Sequence, residues 1–510
     1  MLNRIGTAIA FVGLLFGSVS LPVSAQTPVR GGTLLVGSNQ DMKTLDPIRS
    51  NDLSEREVVY LIYNNLLALG SDFSVKPELA TSWTYEGDGL RLVLKLRSGV
   101  KFHDGTPLDA EAVKWNFDWR MDAAGKSPQR QPLVDVINAV TVVDPQTVAI
   151  DLKIPSPSLL GALGQREGFI ASPTAAKKFG DDFGSNPVGS GPFVFKEWIR
   201  GNQVVVERNP NYWEPGKPYL DKIVLQNISG SVIGLQRLRT GEIDIIANLT
   251  VQDAMLIQNQ PEIKLLQAPP NRWYPLQWQV DKPPFNNLKL RQAIAHGINR
   301  KQLIDIVMLG KAPIADSPTP AGLWWHVPEV KSYDYDPDKA RALLKEAGYP
   351  NGIQIELSLD ELNPGAQIAQ VVQDQLRAVG INVTLKPVSS SVAYQLTFQR
   401  VTNFTPTSWT QRPDPDGLLR FLFYTKAAAN TTGFSNSEVD SLLDKARALT
   451  DPAARKPLYA RAQKIITEEL PYIPLFFGIQ YMARRDAVQG FEWIPDQIPR
   501  FRDLWKTAAK

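Results

Sequence analysis

Residues 90–107 read LRLVLKLRSGVKFHDGTP, a strand pattern followed by a turn pattern. Leucine occupies every second position of residues 90–96, which gives one apolar face to a half-buried strand. Glycine, aspartate and proline then cluster in residues 101–107, which predicts a turn. Asp109 stands where an N-cap is expected for a helix over residues 110–120. A strand that leads through a turn into a helix is typical of layered α/β folds.

The same alternation of strand and helix patterns recurs along the chain. Residues 32–38 predict a buried first strand, and residues 55–67 predict an amphipathic helix. In the second half, helices are predicted to begin at Asp336 and Asp451, because each aspartate is followed by a proline suited to the first helical position. Ser435, with an acid three residues later, predicts a capping box. The fold class predicted from the whole pattern is therefore α/β.

Composition excludes several classes of protein. The chain has 510 residues, of which 43% are apolar and 21% charged, so it can build two or three ordinary cores. Its 55 lysines and arginines are nearly balanced by 52 acidic residues. A nucleic-acid-binding protein needs a concentrated basic face, so no nucleic-acid partner is predicted.

The first 25 residues predict export. Arg4 precedes an apolar run over residues 5–19, and small residues stand at a cleavage position before Gln26. The apolar run is shorter than the ~20 residues that span a bilayer. An uncleaved N-terminal anchor is the alternative. The chain has no cysteine, so neither disulfides nor a lipid-bearing cysteine are available. We therefore expect a periplasmic protein that is not lipidated.

Few residues suggest catalysis or metal binding. His103, His296 and His326 lie far apart, in none of the spacings typical of metal sites. No Gly-x-Ser-x-Gly elbow is present. Asp414 and Asp416 could form a glycosidase pair, but two positions apart on a proline-held loop they favour a structural role. No cofactor, metal or catalytic residue is predicted.

The loop over residues 409–417 collects an unusual set of groups. It reads WTQRPDPDG, and its two prolines exclude a regular helix or central strand. Binding groups often lie on such fixed loops, although a surface turn with a capping aspartate remains an alternative. Several tryptophans also lie near polar or proline neighbours, where aromatic side chains can line a cleft or pack under loops, namely Trp278, Trp324, Trp325 and Trp409.

Particular motifs resemble those of one known family, the family 5 extracellular solute-binding proteins. These are the peptide- and nickel-binding components of ABC importers. The match begins with Ala80, Trp83 and residues 96–105, and it continues in order through GSGPF at 189–193, RNPNYW at 208–213, KPPF at 282–285, KEAGY at 345–349 and FSN at 434–436. The resemblance covers nearly the whole chain after residue 25.

The resemblance implies a two-lobed periplasmic binding protein fold of type II with an extra third domain. The implied divisions are lobe I at 26–70, 187–275 and 478–510, the extra domain at 71–186, and lobe II at 276–477. Segments 267–281 and 472–481 would cross between the lobes as a hinge. Solute would be trapped between the lobes and delivered to the membrane permease subunits and their ATPase by a monomeric protein.

The resemblance also implies ligand-binding residues. In peptide-binding relatives, the loop after a tryptophan like Trp409 carries an acid for the peptide ammonium. Arg412 stands there instead, which favours an anionic group on the ligand. Asp414 could be the shifted acid. Glu55 falls where relatives place an acid facing the ligand, although a helix-start glutamate is the simpler interpretation. The predicted set is Trp409, Arg412, Asp414, Glu55, Trp278, Trp324 and Trp325.

The predicted function is capture of a small peptide or other polar organic solute, without chemistry. Two receptors of the same fold stay open as alternatives, one for a nickel chelate, with His326 as its candidate ligand, and one for an opine or a sugar. The alternative of another class is a secreted hydrolase, which would need convergent acid and base groups in the cleft.

Overall fold

A computed structural model describes residues 27–38, 42–228, 230–361, 364–402 and 404–507. The predicted signal peptide, residues 1–25, lies outside this part of the chain. Its strands, in chain order, are β1 Thr33–Ser38, β2 Leu67–Leu69, β3 Val75–Pro77, β4 Ala80–Glu86, β5 Arg91–Leu96, β6 Ile137–Asp144, β7 Thr147–Leu152, β8 Phe193–Ile199, β9 Gln203–Arg208, β10 Lys222–Asn227, β11 Ile245–Leu249, β12 Ile263–Gln267, β13 Arg272–Trp278, β14 Ile353–Asp360, β15 Ile381–Val388, β16 Phe404–Pro406, β17 Trp409–Thr410, β18 Tyr472–Gly478, β19 Tyr481–Arg485, β20 Val488–Gln489 and β21 Trp505–Lys506.

Helices lie in several of the intervals between these strands. In chain order they are α1 Leu53–Ile62, α2 Ala110–Met121, α3 Arg130–Val134, α4 Ser158–Leu163, α5 Pro173–Phe179, α6 Ser231–Thr240, α7 Val251–Met255, α8 Leu288–Gly297, α9 Arg300–Val307, α10 Pro337–Glu346, α11 Gly365–Arg377, α12 Ser390–Phe398, α13 Leu419–Phe423, α14 Ser437–Arg447 and α15 Pro452–Glu469. Among the described residues, no helix combines the length and apolar character needed to cross a membrane.

Three larger sheets organise the chain. The first has seven strands in the order β12-β19-β11-β1-β10-β9-β8, with β1 parallel to both β10 and β11. The second is antiparallel, in the order β4-β5-β7-β6. The third joins β16, β17 and β18 to the central strand β13. Segments of distant sequence meet in each of the first and third sheets.

The 90–107 stretch forms the predicted strand and turn. β5 buries Leu92, Leu94 and Leu96, while Leu90 just outside it is exposed. The leucines pack with α2, which begins one residue after Asp109. The Asp109 carboxylate accepts a hydrogen bond from the Ala112 N–H at 3.0 Å, which confirms the predicted N-cap.

Two local predictions were wrong in detail. The helix predicted over 55–67 ends at Ile62, whose carbonyl accepts from the Gly191 N–H at 2.8 Å, so the backbone beyond it pairs with other segments. The predicted capping box at Ser435 is replaced by Asn436, which caps α14 by accepting from two backbone N–H groups. Glu438 instead forms an ion pair with Arg461 at 2.8 Å.

Two short crossings join the first sheet to the third. The chain leaves β12 of the seven-stranded sheet, crosses through residues 268–271 and enters β13 of the third sheet. It returns from β18 to β19 through Ile479 and Gln480. The Ala268 N–H donates to the Gln480 carbonyl at 2.9 Å, so the two crossings lie side by side.

Candidate ligand-binding site

The loop over residues 409–417 is fixed at both ends. β17, at its start, pairs with β13. The Gln411 N–H donates to Asn271 Oδ1 at 2.7 Å. At the other end, Asp414 caps a short 3-10 turn, Pro415–Gly417, by accepting a backbone hydrogen bond at 2.9 Å. The residues between these anchors are therefore held in one irregular conformation.

Asp414 is held by a buried arginine. Arg455 of α15 donates to the two carboxylate oxygens of Asp414 at 2.6 and 2.8 Å. Arg455 also donates to the Tyr459 hydroxyl at 2.7 Å and to the Ala446 carbonyl at 3.1 Å. Burial opposes the charge of Arg455, but hydrogen bonding to Asp414 raises its pKa above the usual value. Both oxygens of Asp414 are thus already occupied, which favours a structural role.

A cavity of about 620 Å³ lies beside the loop. This volume is within the range of small-molecule sites. One wall comes from residues 129–167, which include α3 and α4, and the other from residues 412–447. The charged residues that line it are Asp135, Arg166, Glu167, Arg412, Asp414, Asp416, Arg420, Lys426 and Arg447.

The two walls touch at a glycine. Gly161 lies on α4, and a Cβ built there would come within 2.7 Å of the Pro413 Cβ. That distance is shorter than van der Waals contact, so a larger residue at 161 would push Pro413 away. The close approach sets the spacing of the walls at this edge of the cavity.

Arg412 is the notable cation of the cavity. It is partly buried, and within the described residues its guanidinium forms neither a hydrogen bond nor an ion pair. Burial lowers the pKa of Arg412, and the positive charge of Arg166 on the opposite wall lowers it further. Glu167 partly opposes this effect. A partly buried cation without its own counterion is suited to binding an anion.

Asp416 is the acid of this loop whose pKa is shifted by its surroundings. Burial, and then the negative charge of Asp414, raise the pKa of Asp416 to about 6. Arg447 is its ion-pair partner, with 3.5 Å between Nε and Oδ2. The Asp416 Oδ1 atom is buried without a hydrogen-bond partner among the described residues. Asp416 and Asp414 therefore have distinct environments, with Asp414 committed to Arg455.

Trp409 packs against an aromatic residue that lines the cavity. Its ring packs edge-on against Phe398 and Phe421, with centroids 6.2 and 6.0 Å apart. Phe421 lines the cavity and is 42% exposed, so this aromatic cluster borders the space where a ligand would lie. The prediction that Trp409 stacks on ligand remains a prediction.

The other tryptophans of the predicted set are not gathered at the cavity. Trp278 is fully buried, and its indole N–H donates to the Leu470 carbonyl at 2.7 Å. Trp325 is also buried, and Trp324 packs edge-on against it at 5.3 Å. These rings pack in hydrophobic clusters, because proline or charged neighbours in sequence do not determine burial in space.

Glu55 lies in α1 and is 2% exposed. Its Oε1 accepts from the N–H groups of Lys43 and Thr44, at 3.1 and 3.3 Å, and its Oε2 from those of Asn51 and Asp52, at 2.9 and 3.1 Å. Four backbone donors saturate a carboxylate. The arrangement corresponds to the helix-start alternative and holds two loop segments against α1.

The three histidines each contact a backbone carbonyl. The donor nitrogens are His103 Nε2, His296 Nδ1 and His326 Nδ1, at 3.0, 2.7 and 2.9 Å from the accepting oxygens. Burial lowers the pKa of His103 to about 4. In the part of the chain that is described, no group of three or more His, Cys, Asp or Glu side chains could hold a metal ion.

A buried polar chain connects the crossings to α1. Gln480 donates through its side-chain amide to Asn248, and Asn248 donates to Glu57 Oε1 at 3.2 Å. Glu57 is 1% exposed, and its second oxygen lacks a partner among the described residues. Burial raises the pKa of Glu57 to about 8, and the Asn248 hydrogen bond opposes only part of this shift. Burial therefore favours the protonated, neutral form of Glu57.

Sequence reasoning missed the opposite wall of the cavity. Arg166 and Glu167 follow α4 in a loop with no periodic pattern, and neither residue belongs to a recognisable motif. They line the same cavity as Arg412, and their charges act on it, although the two segments are distant in sequence. A charged pair shortly after a short apolar helix was the one available signal, and such pairs are common on protein surfaces.

Comparisons with known proteins agree with this architecture. The family model described as bacterial extracellular solute-binding proteins, family 5 Middle, matches residues 74–430. The glutathione-binding protein GsiB of Shigella flexneri is 33% identical over 497 residues, which cover 95% of this chain and 96% of that protein.

Solved structures are similar over the same extent. The ABC transporter-associated periplasmic binding protein DppA from Helicobacter pylori, in complex with peptide STSA, has a TM-score of 0.80 at 28% identity, covering 94% of this chain and 98% of that one. The protein AgaA from A. tumefaciens R10, in complex with agropinic acid, has a TM-score of 0.76 at 28% identity, covering 94% and 99%.

Proposed function

The chain belongs to the family 5 bacterial extracellular solute-binding proteins, and from that premise we propose that it captures a small, acidic, peptide-like solute. The predicted family, two-lobed fold and role as the substrate-binding component of an ABC importer are confirmed by the relatives. Such components are not enzymes, work with ABC permeases and act in the periplasm. The proposal concerns the solute and the residues that hold it.

Arg412 carries the proposal. It lines a cavity of suitable size, is partly buried and has no ion-pair partner among the described residues. A guanidinium can hold a carboxylate through two parallel hydrogen bonds, and partial burial strengthens each one. A carboxylate is common to peptides, glutathione and agropinic acid, the ligands that the names of these relatives carry. We assign the anionic end of the solute to Arg412.

Other residues are assigned by their position. Trp409, with Phe421, would contact an apolar part of the solute at the edge of the cavity. Asp414 would hold the loop through Arg455 rather than bind an amine. Glu55, Trp278, Trp324 and Trp325 would support the surrounding structure. The solute would be released unaltered, because the site is proposed to bind by charge and shape alone.

We also propose the domain division implied by the sequence. Lobe I would contain the seven-stranded sheet, the extra domain the β4-β5-β7-β6 sheet, and lobe II the strands β14 to β17 with their helices. The side-by-side crossings at residues 268–271 and 479–480 would be the hinge. The protein would be a monomer, exported by cleavage of residues 1–25.

The test is a ligand screen followed by one substitution. Purified protein is screened by thermal shift against acidic dipeptides, glutathione, agropinic acid and the amidated form of each peptide, because a ligand of the folded state raises the melting temperature. Affinities for the best solute are then measured by calorimetry for wild type, Arg412→Gln and the surface control Arg377→Gln, which lies on α11 and is 64% exposed in its side chain.

We expect Arg412→Gln to weaken binding of the acidic solute about 10- to 100-fold, the loss that corresponds to a charged hydrogen bond. Arg377→Gln should bind as wild type does. Equal affinity of Arg412→Gln and wild type would remove Arg412 from the site. A solute that binds equally well after amidation of its acid would show that the protein does not select an anion.

A further inference from the structure

Three arginines from distant segments are linked by the charge of Arg166, and two of them, Arg166 and Arg412, line the cavity. Arg412 belongs to the loop after β17, Arg166 follows α4, and Arg56 belongs to α1. The charge of Arg166 acts on both of the others, lowering the pKa of each after the larger effect of burial. Within the described residues none of the three forms an ion pair with a carboxylate.

Arg166 is positioned by neutral groups. It donates to Asn51 Oδ1 at 2.8 Å. In the amide orientation that satisfies both of its neighbours, the Gln129 oxygen accepts from Arg166 at 3.0 Å and its nitrogen donates to Glu167 at 3.2 Å. Neutral acceptors fix the guanidinium in place but leave its charge uncompensated. Arg166 is therefore an oriented cation on the wall that faces Arg412.

Arg56 adds a third positive charge, outside the lining of the cavity, on which the charge of Arg166 acts. It is 8% exposed, and its Nε is buried without a partner among the described residues. Burial, and then the charge of Arg166, lower its pKa to about 10. The carboxylate whose charge acts on Arg56 is that of Asp496, but Asp496 is ion-paired with Arg500 at 2.5 Å. Arg56 therefore contributes net positive charge at neutral pH.

This arrangement has a consequence for the solute, and it rests on the proposed function. We infer that the solute ends in a doubly charged anionic group that binds between Arg166 and Arg412 and so joins the two walls of the cavity. The carboxylate whose charge acts on Arg412 is Glu167. Arg166 and Arg412 line the cavity from opposite walls, so a doubly charged group would find one guanidinium for each of its charges. The two sources of such a group are adjacent carboxylates and a phosphate monoester.

The anion would also change the energy of closure. Like charges on opposite walls repel each other, and the repulsion is stronger in a partly buried cavity than in water. An oxyanion that accepts hydrogen bonds from both guanidinium groups replaces this repulsion with two attractions. Tight approach of the walls at Arg166 and Arg412 is then favoured with the anion present and disfavoured without it.

The test compares matched dipeptides on matched proteins. Calorimetry measures binding of Ala-Asp, whose last residue has two adjacent carboxylates, against Ala-Asn, which has the same shape and one carboxylate. Ala-phosphoserine and Ala-Ser form the second pair and distinguish phosphate from paired carboxylates. The proteins are wild type, Arg166→Gln, Arg412→Gln, the double variant, Arg166→Lys and the control Arg377→Gln.

We expect at least one doubly charged dipeptide to bind wild type about 10-fold or more tightly than its singly charged match. Arg166→Gln and Arg412→Gln should each remove most of that preference. The double variant should lose less than the sum of the two single losses, because both arginines act on one anion. Arg166→Lys should keep part of the preference, and Arg377→Gln all of it.

Three results would overturn the inference. Equal binding of both members of each pair would show that no doubly charged group is recognised. A loss in Arg412→Gln with none in Arg166→Gln would leave the proposed function intact and remove the shared anion. Binding of no acidic solute, including those of the wider screen, would reject the proposed function itself. Melting curves of each variant, together with Arg166→Lys, distinguish loss of the site from loss of folding.

Discussion

Arg455 donates to both carboxylate oxygens of Asp414, at 2.6 and 2.8 Å, and both residues are buried. This pair joins α15 to the loop that carries Arg412. The position of Arg412, the proposed ligand-binding arginine, thus depends on the ion pair between Asp414, two residues away, and Arg455, which lies on the third helix after the loop.

Breaking this pair is expected to destabilise the protein strongly. Arg455→Met leaves the Asp414 carboxylate buried without its cation, and a loss of about 3–5 kcal/mol is typical of such changes. Urea unfolding measures it. The exposed pair Lys301–Asp305 is the control, since Lys301→Met there should cost less than about 1 kcal/mol. Similar losses at the two sites would contradict the structural role of Asp414.

Trp409 is expected to report ligand binding. If it lies beside the solute, an acidic ligand identified by the screen should change the tryptophan emission of wild type. Trp409→Phe should remove most of that change and weaken binding about 3- to 10-fold, consistent with the energy of one aromatic contact. Trp198→Phe, in β8 of the seven-stranded sheet, is the control. An unchanged signal in Trp409→Phe would place the solute elsewhere.

Glu57 predicts a pH-dependent stability. Its pKa is about 8 in the folded protein against an ordinary value of 4.5, so between these pH values the unfolded chain releases a proton that the folded chain retains. The free energy of unfolding contributed by this group therefore falls as pH rises from about 4.5 to about 8.

Glu57→Gln removes that dependence. The melting temperature of Glu57→Gln minus that of wild type should increase by about 2 °C or more when the pH is raised from 5 to 8.5. This increase is equivalent to about 1 kcal/mol or more in a chain of this size. Glu329→Gln, whose side chain is 87% exposed, should show no such rise. A constant difference between Glu57→Gln and wild type across this range would show that Glu57 is ionised in the folded protein.

The contact of Gly161 with Pro413 predicts a steric effect. Gly161→Ala places a methyl group 2.7 Å from the Pro413 Cβ, so the walls must separate, at a cost of about 1–3 kcal/mol. The affinity of Gly161→Ala for the solute should fall together with its free energy of unfolding. In the double variant with Pro413→Gly, which removes the opposing atom, part of the loss should return. Strictly additive losses in the double variant would show that the two residues do not touch.

Local patterns predicted local structure well. The alternating leucines of β5 and the Asp109 cap of α2 depend on neighbours within a few residues, and both predictions are confirmed. The helix predicted over residues 55–67 failed where Ile62 bonds to Gly191, a partner remote in sequence. The resemblance to family 5 supplied the two-lobed fold, which periodicity alone could not have indicated.

The candidate site was harder to predict for the same reason. The resemblance to family 5 implied Arg412 as a ligand-binding residue, on a loop whose two prolines already favoured a fixed conformation. Arg166 becomes a candidate because it lines the same cavity as Arg412, and that proximity exists only in the folded chain. Trp278 and Arg412 each follow a glutamine in sequence, yet Trp278 is fully buried and Arg412 lines the cavity.

The order of strands in the seven-stranded sheet has a consequence for synthesis. β12 pairs only with β19 in that sheet, and Gln267 lies opposite Tyr481, so nearly half the chain must follow before β12 gains its partner. A chain that folds from its N-terminus would expose the whole edge of β12 during that delay, and unpaired edges promote aggregation. Truncation before residue 481 should therefore yield a fragment that aggregates rather than a shorter solute-binding protein.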